Sequence, residues 1–586
     1  MNPPSVPGSA RVLAPGKAGV CALALLLCLA GSYFLSAQEG KSETDGDYTI
    51  HGTVFNSVTH AAIGRALVYS TDNRYATLTD GEGHFEIKIP QPPREQGSGL
   101  HTTTQTLSRG GIGQSRLVST SIFLMARKPG YFDSQGGPQP IDVGSATASE
   151  IRISLVPEAR ITGRVILPVN DGTEKIQVAV SRRQVQEGRG KWIAMSNVTT
   201  RANGEFRFAN LQEGEYKLFT HELLDRDPLT FDPRGTLFGY PPVYYPAAAD
   251  FESAAVIQLK AGQTFSAMLT PAKREYYPVK LSVLNAAAGA GMSISVEPQG
   301  HPGPGYSLGY NANESTIAGT LPNGNYSLEV TQYSQNGATG RLNFSVNGAP
   351  LQGPTVMLAP NNTIEVRADD ERTKAQKGPG AELQNILRSM NLRLVPAGNS
   401  GSTNPGWLQP PKDPNDQSLF FVNVQPGTYR VRTGCSPAGY AAALNSGGID
   451  LLRQPLVAGL GAAIAPIEIT IRDDGAQVNG SIENWPVNGP NQPMRSFSGT
   501  PAVIVFLPLP DSSGQFCQAW VSSSGEFNLT QVPPGEYRVI AFDHQPQELE
   551  YENPEAIAKY EDMGQVLRLV PGQNEHLRLS LNRGGQ

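Results

Sequence analysis

Charge is what this 586-residue chain has least of. Only 17% of its residues are Asp, Glu, Lys or Arg, against roughly a quarter in an average globular protein. Long solvated helices need Lys and Glu to cover them, so a helical bundle or a coiled coil is excluded. The 46 basic and 52 acidic residues leave a net charge of −6, which gives a nucleic-acid partner no electrostatic support. Histidine is also scarce: His51, His60, His84, His101, His221, His301, His544 and His576 are all there are. None opens a His-x-x-Glu pair, so no catalytic zinc site of the carboxypeptidase kind can be assembled from sequence. Of four cysteines, Cys21 and Cys28 fall in an apolar leader and Cys435 and Cys517 remain. That count excludes a cysteine metal cluster. The remaining two lie in different repeats, and a bridge would require those repeats to face each other, so two isolated, partly buried thiols are expected. Only one uncharged run, Ala18 to Leu35, approaches membrane-spanning length, which excludes a polytopic membrane protein.

That run carries an address. Arg11 and Lys17 precede it, and Ser36-Ala37-Gln38 and an acidic polar stretch follow. A basic start, an apolar middle and a small-residue exit make a secretory signal ending at Ala37, with an uncleaved anchor as the alternative. The expected location is exported: periplasmic, on the outer surface or secreted. The membrane is touched only through residues 18–35, and only if they are retained.

Glycine and proline are plentiful, at 63 and 47. Much turn residue with little charge points to many short strands. A strand signature recurs four times: Leu211-Gln-Glu-Gly214-Glu-Tyr216, Leu321-Pro-Asn-Gly324-Asn-Tyr326, Val424-Gln-Pro-Gly427-Thr-Tyr429 and Val532-Pro-Pro-Gly535-Glu-Tyr537. The glycines are spaced by 110, 103 and 108 residues, the size of one β-sandwich and not of a solenoid unit. Two copies also carry an earlier turn, Asn203-Gly204-Glu205-Phe206 and Ser524-Gly525-Glu526-Phe527, and a first unit has Gly83-His84-Phe85. Alternating strands close the units, for example Ile151 to Leu155 and Leu577 to Leu581. The fold class is therefore all-β: a tandem array of about five Ig-like or prealbumin-like β-sandwich domains after the N-terminal signal segment. The segments are 1–37 (signal), 47–157 (with a polar insertion near 91–115), 159–272, 276–360, 362–472 and 476–583. Short joints between them predict beads on a string. Helix is expected only near Ala381–Met390 and Asn553–Met563.

The series Ile50-His-Gly52-Thr-Val54, Gly64-Arg-Ala66-Leu-Val68, Thr79-Asp80, Gly83-His-Phe85 and Lys128-Pro-Gly-Tyr131 resembles the carboxypeptidase regulatory-like domain. The resemblance implies a transthyretin-like sandwich grouped with carbohydrate-binding-like folds. It extends to the second and fifth units, while the third and fourth share only the strand with Gly and Tyr. It covers an accessory domain and implies no enzyme.

Sequence motifs for chemistry are few. Gly305-Tyr306-Ser307-Leu308-Gly309 has the spacing of a nucleophile elbow, but loop surrounds it where a strand and a helix are needed. Asp80-Gly81-Glu82-Gly83 and Asp473-Asp474-Gly475 read as turns and not as calcium loops. No catalytic residue, metal or cofactor is expected. Trp192 and Trp520 lie on strands and are expected in the core. Trp407, Trp485, Tyr240, Tyr244 and Tyr245 lie in loops and are the candidate ligand-binding residues, as a platform for a sugar ring or a partner's apolar patch. The expected role is non-catalytic, structural or binding, in the bacterial cell envelope, with an envelope protein or polysaccharide as partner. The alternative is a carbohydrate-binding protein of the envelope or secreted space.

Overall fold

The computed structural model describes residues 48–89, 121–133, 139–142, 150–168, 175–224, 237–334, 337–373, 381–398, 404–410, 419–485, 502–510 and 512–582. The expected signal at 1–37 and the insertion near 91–115 lie outside these residues. Among the described residues regular structure is almost entirely strand, and the two helices, Ala381–Ser389 and Pro554–Ala558, fall within the two helical segments expected.

Five times the chain opens a sheet with one strand and returns to lay a later strand parallel beside it. The pairs are Tyr48–Asn56 with Ile151–Pro157, Ala159–Val165 with Thr264–Leu269, and Arg274–Leu284 with Leu351–Met357. Asn362–Asp370 with Ile467–Arg472 and Ala476–Ile482 with Asn574–Leu579 complete the set. A second sheet covers each pair, antiparallel except where Leu581–Asn582 runs parallel to Gly535–Phe542 in the fifth. In the second sandwich it orders Arg189–Thr199, Gln177–Gln186, Gly214–Thr220 and Ile257–Leu259. Each sandwich has its own apolar core built from alternating inward residues. The third and fourth units, weakest in sequence, share the topology.

The recurrent Gly-x-Tyr has a physical cause. Tyr216, Tyr326, Tyr429 and Tyr537 are at most 2% exposed. Their hydroxyls donate to the carbonyls of Gln212, Pro322, Gln425 and Pro533, each four residues upstream, at 2.6–2.8 Å. A buried phenol must find a partner, and the corner leading into the strand supplies it. Changing Tyr429 or Tyr537 to Phe should leave each corner carbonyl without this donor and cost about 1 kcal/mol. Denaturant midpoints unchanged from the parent would show that the corner is decorative.

The Gly-x-Phe turn is matched by a second glycine on the opening strand. A Cβ at Gly52, Gly163 or Gly480 would lie 2.4, 2.5 or 2.7 Å from the ring tip of Phe85, Phe206 or Phe527. The ring occupies the place of the missing side chain. The third and fourth sandwiches have neither partner: their opening strands carry Val279-Lys-Leu281 and Ile364-Glu-Val366, whose apolar side chains are buried in the core instead.

Three expectations need correction. Trp520 is 48% exposed, because its strand, Cys517–Trp520, alternates and buries Cys517 and Ala519. Trp192 is half-buried outside the core, edge-on to Phe251 with the Lys217 ammonium 4.9 Å from its ring. The two thiols are not isolated: Cys435 and Cys517 form a disulfide between the fourth and fifth sandwiches, with Cα atoms 5.6 Å apart. Around it Thr433 donates to Gln515 at 2.9 Å, and Gln515 donates to the Ala441 carbonyl at 2.7 Å.

The beads-on-a-string expectation also fails, since the second sandwich reaches the fourth and fifth. The hairpin of Gln177–Gln186 and Arg189–Thr199 carries Glu187-Gly188 at its tip. The Gly188 carbonyl accepts the Glu552 N–H at 3.0 Å, and a Cβ on Gly188 would lie 2.6 Å from the Tyr551 ring. Arg183 reaches Glu550 at 2.6 Å, and Arg189 reaches Glu552 at 3.6 Å. On the fourth sandwich, Glu187 pairs with Arg393, Glu552 pairs with Arg432, and Lys191 donates to the Pro396 carbonyl at 3.2 Å. Tyr551 stacks on Phe516, with ring centres 3.9 Å apart. Burial pushes the Glu550 carboxyl up, but the hydrogen bonds from Arg183 and Asn553 outweigh it and hold its pKa below the ordinary value.

Candidate functional site

The five candidate aromatic residues do not form one platform. Tyr240 and Tyr244 are 1% and 4% exposed. The Tyr244 hydroxyl donates to the Pro304 carbonyl at 2.9 Å, and its ring packs near Phe219 and Phe251. Tyr245 is half-buried, edge-on to Phe265. Trp485 lies over Gly525 and donates its indole N–H to the Ser523 carbonyl at 3.0 Å. Trp407 alone among the five keeps a broad exposed face, at 48%, on the short edge strand Trp407–Gln409.

The loop of the elbow-like motif closes the joint between the second and third sandwiches. Glu222 donates its N–H to the Gly305 carbonyl at 3.0 Å, and its carboxylate accepts the Ser307 N–H at 2.7 Å. Ser307 thus presents its backbone, in a loop that runs into the short strand Gly309–Asn311 and not into a helix. The other carboxyl oxygen of Glu222 is buried and finds no hydrogen-bond partner among the described residues, nor does the Tyr276 hydroxyl. Burial raises the Glu222 pKa to about 7, opposed by the hydrogen bond from Ser307.

Near Trp407 a different chemistry collects. A pocket of about 200 Å³ opens between the third and fourth sandwiches, lined by Thr331, Gln332, Tyr333, Ser334, Asn361, Asn404, Asn423 and Gln425. Three structural devices deliver these side chains. Asn423 has φ +58° at a bulge in the strand Leu419–Val424, a position where a bulge re-aims a side chain. Asn210 and Gln531 occupy the matching bulges of the second and fifth sandwiches, with φ of +57° and +58°. Asn361 sits in the joint itself and donates to Asn423 Oδ1 at 2.6 Å, while Thr339 donates to Asn361 Oδ1 at 2.7 Å. Asn404 donates its N–H to Gln425 Oε1 at 2.7 Å, and its own Oδ1 accepts the Gly406 N–H at 2.9 Å, three residues before Trp407 along the chain. Sequence reasoning passed over these amides because they are spread over nearly a hundred residues of two units. The one local signal is an Asn just before the Val-x-x-Gly-x-Tyr strand, at a bulge that favours positive φ.

A wider cleft of about 2840 Å³ lies where the second, fourth and fifth sandwiches meet, lined among others by Arg182, Arg430, Arg453, Asp450, Glu548 and Lys559. Among the described residues no group of three or more His, Cys, Asp or Glu side chains gathers as a metal site. Asp80 caps its own turn, accepting the N–H groups of Glu82 and His84 at 2.9 Å.

No family model matches the chain, and no curated protein matches it either. Among solved structures it is similar to a Streptococcal ancillary pilin, with 11% identity over 54% of this chain and 98% of that one and a TM-score of 0.19. A minor pilin of Streptococcus agalactiae has 8% identity, covering 38% of this chain and 95% of that one, with a TM-score of 0.17. The Bacillus anthracis TIE protein has 10% identity, covering 92% of this chain and 68% of that one, with a TM-score of 0.12. At these values the likenesses say nothing of what this chain does. The fold stands on the chain's own sheets: an all-β array of five sandwiches.

Proposed function

We propose that the chain is an exported, non-catalytic scaffold of the bacterial cell envelope whose sandwiches present binding surfaces. The observation that carries this reading is the tying of separate sandwiches to one another. A disulfide joins the fourth to the fifth, and such bonds persist in oxidising compartments outside the cytosol. The hairpin ion pairs add the second sandwich to them. Rigid relative placement of several domains serves a protein that holds or presents something. The first, second and fifth sandwiches, with their glycine-to-phenylalanine contact, are the ones we assign to the carboxypeptidase regulatory-like type. Cell fractionation with thiol trapping tests the reading. The mature chain should appear in an envelope or secreted fraction with Cys435 and Cys517 protected, and it should lose part of its thermal stability on reduction, by roughly 2–4 kcal/mol. A cytosolic chain with free thiols would overturn it. So would hydrolysis of a peptide or ester that Ser307→Ala abolishes.

A second reading, carbohydrate binding, is favoured by the uncharged amide pocket close in sequence to Trp407.

A further inference from the structure

We propose that the pocket between the third and fourth sandwiches holds one neutral hexose ring of a glycan, with Tyr333 as its stacking surface. This rests on the carbohydrate-binding reading and gives it a site that does not depend on Trp407. The lining decides the ligand class by elimination. It contains no charged side chain, so a phosphate, sulfate or uronate would lose its water without gaining a counter-charge. It offers no carboxylate to a cation. An apolar ligand would cover the side-chain NH2 groups of Asn404 and Asn423 without giving them a partner.

The internal bonds then set what is left to offer. The Oδ1 atoms of Asn361, Asn423 and Asn404 and the Oε1 of Gln425 are all engaged as acceptors. Among the described residues, the side-chain NH2 groups of Asn404 and Asn423 and the hydroxyls of Ser334 and Tyr333 have no partner. The pocket therefore presents two amide donors held in place by their own oxygens, plus two hydroxyls that can donate or accept. A ring bearing several hydroxyls matches that set. Tyr333 is 63% exposed, and its flat face suits the apolar C–H face of a pyranose. An extended peptide would need an unpaired strand edge to bind, whereas this lining is made of side chains around a compact space.

The test uses residues 38–586 in affinity electrophoresis through neutral polysaccharides (α- and β-glucans, mannans, galactans) and through anionic ones as a comparison. We expect retardation by at least one neutral polymer. Tyr333→Ala and Asn423→Asp should each weaken it about tenfold, while Trp407→Ala retains it. Tyr333 is surface-exposed, and Asp preserves the acceptor that Asn361 uses, so both variants should keep the parent's melting temperature. Retardation only by anionic polymers, or binding untouched by both pocket variants, would overturn the site while leaving carbohydrate binding standing. No retardation by any polysaccharide would overturn both. Capture of peptides from an array, with no glycan bound, would replace the sugar by a peptide and also overturn the proposal.

Discussion

Glu222→Gln should make the protein more stable at pH 8 and leave it nearly unchanged near pH 4. In the folded chain this carboxyl holds its proton up to about pH 7, chiefly because it is buried. In the unfolded chain it ionises near pH 4.3. Between those values the folded state binds the extra proton, so stability falls as the pH rises and levels off above about 7. The size of the fall is roughly 3 kcal/mol. Glutamine removes the charge and still accepts the Ser307 N–H. The groups facing the carboxyl do not reverse the sign. Tyr306 is raised by burial to about 12, Tyr276 and Tyr326 are raised further by burial, and all three stay neutral across the range. The nearby Arg274 guanidinium opposes that rise in each of the three tyrosines without undoing it. His221, adjacent in the chain, is lowered by burial and acts in the opposite direction, costing stability as the pH falls below its ordinary value. Melting temperatures of parent and variant across pH 4 to 9 would decide the matter. Parallel curves would show that folding does not shift the ionisation of Glu222.

Glu550→Ala should release the hairpin of the second sandwich. Glu550 is buried and accepts from Arg183 at 2.9 Å and from the Gly190 N–H at 3.2 Å. Its loss leaves a half-buried guanidinium with Glu215 at 3.5 Å as its remaining ion-pair partner. Removing one member of such a pair costs about 3 kcal/mol. Adding Glu552→Ala withdraws the partner of Arg189 and Arg432 as well. The double variant should keep five folded sandwiches, with unchanged far-ultraviolet circular dichroism, and expand in small-angle scattering. A scattering curve identical to the parent's would mean that these ion pairs do not hold the sandwiches together.

What could be read from sequence follows the range of the contacts. The Tyr corner closes over four residues and repeats four times, so it stands out without an alignment. The glycine under Phe206 lies some forty residues before it, at Gly163, yet both are visible as short motifs. Where that pair is absent, in the third and fourth sandwiches, the resemblance faded although the topology did not. The hairpin contacts were invisible for the opposite reason. Arg183 and Glu550 are 367 residues apart, and a single Arg and a single Glu carry no periodicity. The disulfide was misjudged on the same ground, because facing of the fourth and fifth sandwiches is a tertiary fact. Sequence position placed Trp407 in a loop, whereas it is exposed on a short edge strand. Nor could sequence position foresee that the proline-rich loop holding Tyr244 is covered by the loop around Pro304. The amide pocket was missed because its members come from four separate segments and become neighbours only at the joint.

The parallel pairing of first and last strands has a mechanical consequence. Strands that run the same way place a sandwich's entry at one end of the ladder and its exit at the other. Tension drawn along the chain would therefore slide those two strands past each other, loading all the rungs between them together, instead of peeling them one by one. Rupture under load is governed by the unfolding rate, and sliding raises the barrier that sets that rate. Each of the five ladders would meet such tension in shear, and the disulfide would hold the last two sandwiches together while it acts.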